Sequence, residues 1–400
     1  MMATASDNPV PRRLSREGEA GVLPEVDGLR LAHLILDMGF GGAERLAQDV
    51  AIALQERGAR CHVVCFDAIS GNTAPLARHG IPVELIQRKQ IAFDSRACLR
   101  LLRRLKALGV QLLHAHDLSS LSYAVAAGLL LGIPVVMTEH SRHYIEARRI
   151  RRLEKRLLCL GVRRLVAVSP ELARASVERD HVAPGKVAVI ENGVDVERYA
   201  RAQGRAFREE LALGPGEALV GMVGRLEAIK GPDVLLEAFT ALAGRFPGAR
   251  LAYVGEGGLG EALRARSQAL GLAARVRFLG SRSDIPQVMS GLDILVLPSL
   301  SEGLPLALLE GMAAGRAVVA TAVGRVPGIV RPAWEGENGR LVPPGDVRAL
   351  ARTLMTLLGD APLRARLGRA AQDFVARRYR LQDTFRNYQT VYAQALAGRT

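Results

Sequence analysis

The sequence predicts an α/β protein made of two doubly wound units, each a parallel sheet with crossover helices, and a ligand cleft between them. Three observations carry this. Short continuous apolar runs of strand length alternate with helix-period segments, the pattern of parallel strands buried on both faces. The alternation begins near residue 29, lapses over 192–218, where Gly and charge dominate, and then begins again. Finally, 400 residues at 49% hydrophobic content exceed one ordinary core, at roughly 150 residues per domain.

Residues 1–27 mix Pro, Ser, Gly and charge without periodicity and are expected to be disordered. The expected partition is 28–198 for the first unit and 199–378 for the second, with 379–400 a helix crossing back to the first. In the first unit "LRLAHLIL" reads as a strand, "GGAERLAQDVAIALQERG" as a helix, "RCHVVCF" as a strand and "RACLRLLRRLKALG" as a helix. "VQLLHAH", "PVVMTEH" and "RRLVAVS" read as further strands. In the second unit the strands are "ALVGMVGRL", "ARLAYVGEG", "VRFLG", "DILVLPS", "AVVATAV" and "GRLVPPGD", with helices from 231, 259 and 305 and at the C-terminus.

Residues 118–138 carry no charge and have the length of a membrane span. Three serines near the start and the break at Gly132 to Pro134 instead predict a helix followed by a strand. Cys61, Cys65, Cys98 and Cys159 are too few and too scattered for a disulfide framework or a zinc site. They read as buried thiols of a reducing compartment, and the expected location is the cytoplasm.

The net charge of +14 and pI near 10.3 make nucleic acid, anionic lipid and phosphorylated small molecules candidate partners. With 4% aromatics and no stacking motif on a strand, nucleic acid is poorly supported. The arginines concentrate in helical stretches at 96–109 and 148–157. These are either solvated surface or a peripheral contact with the inner face of an anionic cell membrane.

In doubly wound sheets ligands sit at the carboxyl ends of strands, so residues just after each strand are the site candidates. Gly41 and Gly42 follow the first strand and open a helix, where free amides favour an anion. His116 ends "LLHAH", and its pairing with His114 is weak evidence for a metal. His140, Arg142 and His143 follow the next strand and could hold a hydroxylated or phosphorylated acceptor. Arg225 and Lys230 follow a strand and precede a helix that Pro232 can open, a pairing suited to a diphosphate.

"LAYVGEGGLG" (251–260) matches G-x-G-x-x-G formally, but it does not open its unit and no acidic residue follows about 20 positions on. A tight strand-to-helix turn is the better reading. In "SEGLPLALLEG", Pro305 is expected as the first helical residue, which puts Glu302 before the helix and Glu310 in its second turn. The two glutamates then contact different parts of a ligand, with the Gly303 and Leu304 amides between them aimed at an anion.

The set "FGGAE", "HAH", "ENGVD", "VGRLEAIKG", "VGEG", "FLG" and "EGLPLALLE" resembles the GT-B glycosyltransferases, most closely the large retaining family 4, over about residues 29–395. The resemblance implies the GT-B fold of two Rossmann-like domains. It also implies sugar transfer from a nucleotide-diphosphate sugar to a saccharide or lipid-linked acceptor hydroxyl, with no metal or cofactor. A role in bacterial cell-surface polysaccharide, lipopolysaccharide or glycolipid assembly follows. By the same resemblance Glu302 approaches the donor sugar, Glu310 the ribose, Arg225 and Lys230 the diphosphate, and His116 the sugar. The chain departs from the family at "GRVPGIV" (324–330), where Arg325 and Gly328 stand in place of the usual Gly and Glu. A glycosidase using Glu302 and Glu310, a GT-B-like epimerase and a basic nucleic-acid-binding protein are the alternatives.

Overall fold

The computed structural model describes residues 26–39, 41–89, 93–140, 149–331 and 336–397. The described chain forms two compact units, one from residues up to Glu191 together with those from Asp383 on, the other Asn192–Gln382. The division after Glu191 falls seven residues before the expected boundary at 198. The reason is local: the Val194 amide donates to the Tyr379 carbonyl (2.8 Å) and the Leu381 amide to the Val194 carbonyl (3.1 Å). The segment after Glu191 is thereby paired to the end of the second unit.

The first unit has a seven-stranded sheet: β1 (Arg30–Asp37), β2 (Arg60–Ala68), β3 (Val83–Leu85), β4 (Leu112–Ala115), β5 (Val135–Glu139), β6 (Arg164–Ala167) and β7 (Val187–Val189). All pairings are parallel, in the order β3-β2-β1-β4-β5-β6-β7. The three-residue β3 and β7 escape the sequence reading. The helices are α1 (Gly42–Gln55), α2 (Ala74–Arg78), α3 (Ser95–Leu108), α4 (Leu118–Leu131), α5 (Arg149–Leu158) and α6 (Pro170–Glu178). Their ends follow local chemistry. Asp94 and Asp117 cap α3 and α4 through their carboxylates, and Gly109 and Gly132 end them in the left-handed conformation.

The second unit contains α7 (Val196–Arg201), α8 (Arg205–Glu210), β8 (Ala218–Val223), α9 (Pro232–Ala243), β9 (Ala249–Val254), α10 (Gly260–Ala269) and β10 (Val276–Phe278). It continues with α11 (Ile285–Gly291), β11 (Ile294–Leu297), α12 (Leu306–Ala313), β12 (Ala317–Thr321), β13 (Arg340–Val342), α13 (Val347–Gly359) and α14 (Ala361–Arg378). Its sheet is parallel, in the order β10-β9-β8-β11-β12-β13. Its core packs Val220, Leu235, Leu236, Phe239, Tyr253, Ile294 and Val296, all fully buried.

Both sheets have the doubly wound order, in which the sequence of strands across the sheet reverses between the parallel neighbours β1 and β4 and between β8 and β11. Such switch points open a crevice at the carboxyl ends of the strands. The last helix, α15 (Leu381–Ala397), returns to the first unit. There Tyr392 OH lies 2.8 Å from His114 Nδ1 and Tyr388 OH 3.1 Å from Thr138 Oγ1. Residues 118–131 form the helix α4 and 135–139 the strand β5. Among the described residues no helix is long and apolar enough to cross a membrane, and all four cysteines are buried free thiols.

Candidate functional site

At the second switch point two loops meet. The loop after β8 turns at Gly224 (φ 147°), exposes Arg225, and closes in a 3-10 turn at Ala228–Lys230 followed by left-handed Gly231. The loop after β11 lies against it. The Leu300 amide donates to the Ile229 carbonyl at 2.8 Å, and a Cβ on Gly231 would run into the Pro298 carbonyl. This contact brings Lys230 onto Glu302. The ammonium nitrogen is 2.8 Å from each carboxylate oxygen, and Ser299 Oγ donates to Glu302 Oε1 at 2.7 Å. Glu302 is 7% exposed at its side chain and Lys230 25%, so the pair is shielded but open on the lysine side.

A third loop completes the wall. Gly324 (φ 53°) sits against the Glu302 carbonyl, where a side chain would collide, and the Arg325 amide donates to the Gly303 carbonyl at 3.1 Å. The Arg325 guanidinium lies over the Cα of Gly328, in the space a side chain at 328 would take. Further along α12, Tyr199 OH donates to Glu310 Oε1 at 2.7 Å.

The glycines of "VGEGG" have a packing reason. A Cβ on Gly255 would strike the Gly224 carbonyl, and one on Gly257 would strike Leu226 backbone atoms. The Leu226 amide donates to the Glu256 carbonyl at 2.9 Å. These glycines hold the loop that carries Arg225 and Lys230.

At the first switch point four imidazoles cluster. His33 on β1 pairs in register with His114 on β4, and His116 follows two residues on. His33 Nδ1 lies 2.9 Å from His116 Nε2, and His116 Nδ1 lies 3.3 Å from His140 Nε2. His114 is held by Thr138 and Tyr392, each at 2.8 Å. Burial lowers all four, His33 to about 3, His140 to about 4, and His114 and His116 well below the usual range, so each is neutral at pH 7. Burial also raises Asp117, while its carboxylate accepts from the Leu36 and Ser120 amides and ties the ends of β1 and β4 together.

Among the described residues His33 Nε2 is buried with no hydrogen-bond partner. A bare lone pair there is less costly than an orphaned N–H. By this logic His33 Nδ1 donates to His116, and His116 Nδ1 donates to His140.

Two family models match the chain: "Glycosyl transferases group 1" over residues 204–374 and "Glycosyltransferase Family 4" over 40–198. Together they span both units. The chain belongs to the GT-B glycosyltransferases of the family 4 type. Among curated proteins it is 32% identical over 313 residues to the D-inositol 3-phosphate glycosyltransferase of Salinispora tropica, covering 72% of this chain and 64% of that one. It is 34% identical over 225 residues to the Corynebacterium glutamicum protein of the same name, covering 54% and 53%. The chain thus matches less than two thirds of the length of these relatives. Its fold is that of HepE from Anabaena, solved with UDP-glucose (TM-score 0.78, 23% identity, 92% of this chain and 100% of that one). WaaG, a glycosyltransferase of lipopolysaccharide biosynthesis, also shares it (TM-score 0.72, 18% identity, 90% and 99%).

Within the glycosyltransferase fold, the structure brings Lys230, Glu302, Gly303 and Leu304 together, and it brings His116 to His140. Gly41 caps α1, as its place before the helix suggests, but the Glu44 carboxylate lies against it. Arg142 and His143 lie outside the described residues.

Two expectations change. Pro305 is the cap of α12 rather than its first residue, because its ψ of 115° is extended and the helix begins at Leu306. His114 and His116 belong to a larger group: with His33, their nitrogens lie within 4.8 Å of one another, close enough to hold a metal ion. Five of the six ring nitrogens already face a protein partner, so an ion would have to displace them. The sequence reading missed His33, Ser299 and Tyr199. His33 sits two residues after Leu31 in an apolar strand, where nothing but three-dimensional register reveals it.

Proposed function

We propose that the chain transfers a glycosyl group from a nucleoside-diphosphate sugar to an acceptor hydroxyl, with retention at the anomeric carbon. The observation that carries this reading is the Lys230–Glu302 pair at the β8/β11 switch point, next to the N-terminus of α12. The barrier is departure of the diphosphate from an oxocarbenium-like carbon, and preorganised positive charge lowers it. Lysine has three N–H donors; two face Glu302, so a phosphate oxygen can take the third. Arg225 and the α12 terminus add charge that in this reading stands in for a divalent ion. Glu302 steadies the lysine and offers a carboxylate oxygen to a donor-sugar hydroxyl, and Glu310 meets the ribose.

In the same reading the leaving phosphate takes the proton of the acceptor hydroxyl on the face it departs from. No acid/base pair is needed, which separates Glu302 and Glu310 from the roles they would have in a glycosidase. His116, with both ring nitrogens engaged, holds His140 in the tautomer that carries its proton on Nδ1, and that N–H can donate to a sugar hydroxyl. The acceptor is a saccharide or lipid-linked saccharide of bacterial cell-surface assembly, met at the cytoplasmic side. D-inositol 3-phosphate, named for the relatives, is the acceptor to compare with it.

The test is product formation from a panel of nucleotide sugars starting with UDP-glucose, with and without chelator, and anomeric configuration read by proton NMR. Conversion of the donor with no acceptor present would favour an epimerase, and an inverted product would overturn retention.

A further inference from the structure

The two arginine-rich helices of the first unit fold to opposite effect. α3 buries Ala97, Cys98, Leu101 and Leu105 and turns Arg103 and Lys106 outward, the ordinary arrangement of a helix on a sheet. α5 turns its aliphatic side chains out. Ile150, Leu153 and Leu157 are 72%, 56% and 58% exposed, and their spacing of three and four residues aligns them in one ridge. Leu160, just beyond, is 74% exposed.

What α5 buries instead is Lys155. Its ammonium is enclosed by Glu139 and Asp180, each at 2.7 Å, and by Ser176 at 3.1 Å. An ion network therefore fixes the helix to β5 and α6 and leaves its apolar side unburied.

The ridge is continued by a neighbour. α4 packs on α5, and Gly161 lies against Val125. Leu129, one turn beyond Val125 on the same face, is 74% exposed and Leu130 is 69% exposed. Cations rim the patch: Arg156 and Arg163 are exposed, and the Lys186 ammonium rests on the Leu160 carbonyl at 3.0 Å. Glu154 is held by Arg151 at 3.0 Å.

We propose that α5 and the last turn of α4 form an in-plane membrane surface. The aliphatic ridge enters the boundary between headgroups and acyl chains of an anionic bilayer while the arginines contact lipid phosphates. An apolar ridge with a basic rim complements such a surface. It suits a second copy poorly, because a two-fold contact would set the same cations against one another. This differs from charge attraction alone, and it does not depend on the sugar transfer proposed above.

The experiment is co-sedimentation of the full chain with vesicles of about 3:1 phosphatidylcholine and phosphatidylglycerol. The comparison is the triple variant Ile150→Gln, Leu153→Gln, Leu157→Gln, which keeps helix propensity and alters exposed positions. The unaltered chain is expected to bind and to keep a bound fraction at about 1 M salt, where charge attraction is screened within about 3 Å. The triple variant is expected to bind about tenfold or more weakly, since each aliphatic chain forfeits its burial, and to be released fully by salt. Its thermal midpoint and its stabilisation by UDP should be unchanged. Equal binding by the variant, or none by the unaltered chain, would overturn the proposal. So would a solution dimer that the triple variant dissociates and vesicles do not, which would assign the ridge to a second copy.

Discussion

Glu302 grips Lys230 with both carboxylate oxygens, each 2.8 Å from the ammonium nitrogen, across 72 residues of sequence. Removing either member leaves the other charge without its main partner in a half-closed pocket. Lys230→Ala is expected to lower donor turnover by about 100-fold, the scale of losing one preorganised charge in a transition state. It should also cost about 1–3 kcal/mol of stability, because the nearly buried carboxylate loses its cation. Glu302→Gln keeps the shape and should retain folding while losing turnover. Initial rates and urea unfolding measure both. Turnover within about threefold of the parent, about 0.7 kcal/mol of barrier, would remove Lys230 from the diphosphate contact.

Tyr199 orients Glu310 through a 2.7 Å hydrogen bond from a buried position on α7. Tyr199→Phe deletes only the hydroxyl, so stability should fall by about 1 kcal/mol. If Glu310 meets the ribose, nucleotide affinity should weaken several-fold while kcat for saturating donor changes little. Titration calorimetry with UDP tests this, and unaltered affinity would detach Glu310 from the nucleotide.

The turn after β9 offers a stability test of the loop that carries Arg225. Gly255 (φ 131°) faces the Gly224 carbonyl, whereas Gly224 (φ 147°) has open space where its Cβ would be. Gly255→Ala combines backbone strain with a main-chain collision and should cost more than about 2 kcal/mol. Gly224→Ala meets strain alone and should cost about 1–2 kcal/mol. Equal losses in chemical denaturation would show that the collision relaxes freely.

The two sheets were legible because parallel strands buried on both faces leave uninterrupted apolar runs, as in "DILVLPS". The loops after β8 and β11 were legible for the same reason: they follow such runs. The Lys230–Glu302 pair was not, because the residues lie far apart in sequence and meet only through the β8/β11 switch point. "VGEGG" shows the opposite limit. Its glycines announce a turn, but the carbonyl of Gly224 and the backbone of Leu226 that require them belong to another strand's loop. The exposed ridge of α5 was also hidden, since Ile150, Leu153 and Leu157 have the spacing of a core face. Only the burial of Lys155 turns that face outward.

The histidine cluster predicts an acid-labile fold. In the unfolded chain each imidazole has a pKa of about 6.5. In the folded chain burial lowers His33 to about 3 and His140 to about 4, with His114 and His116 also well below 6.5. Above pH 6.5 both states are neutral and the cluster has no pH-dependent effect. As pH falls from about 6.5 towards 4, the unfolded chain takes up protons that the folded chain refuses. Stability should then drop by up to about 1.4 kcal/mol per pH unit for each imidazole. Urea unfolding at about pH 7.5 and about pH 5.5 should show a loss of several kcal/mol. His33→Leu, which replaces the imidazole with the partnerless Nε2, should make that slope shallower by about one group's share. Equal stability at the two pH values would mean that the imidazoles take up protons over the same range in the fold as in the unfolded chain, and the donor directions assigned from His33 to His140 would fall with it.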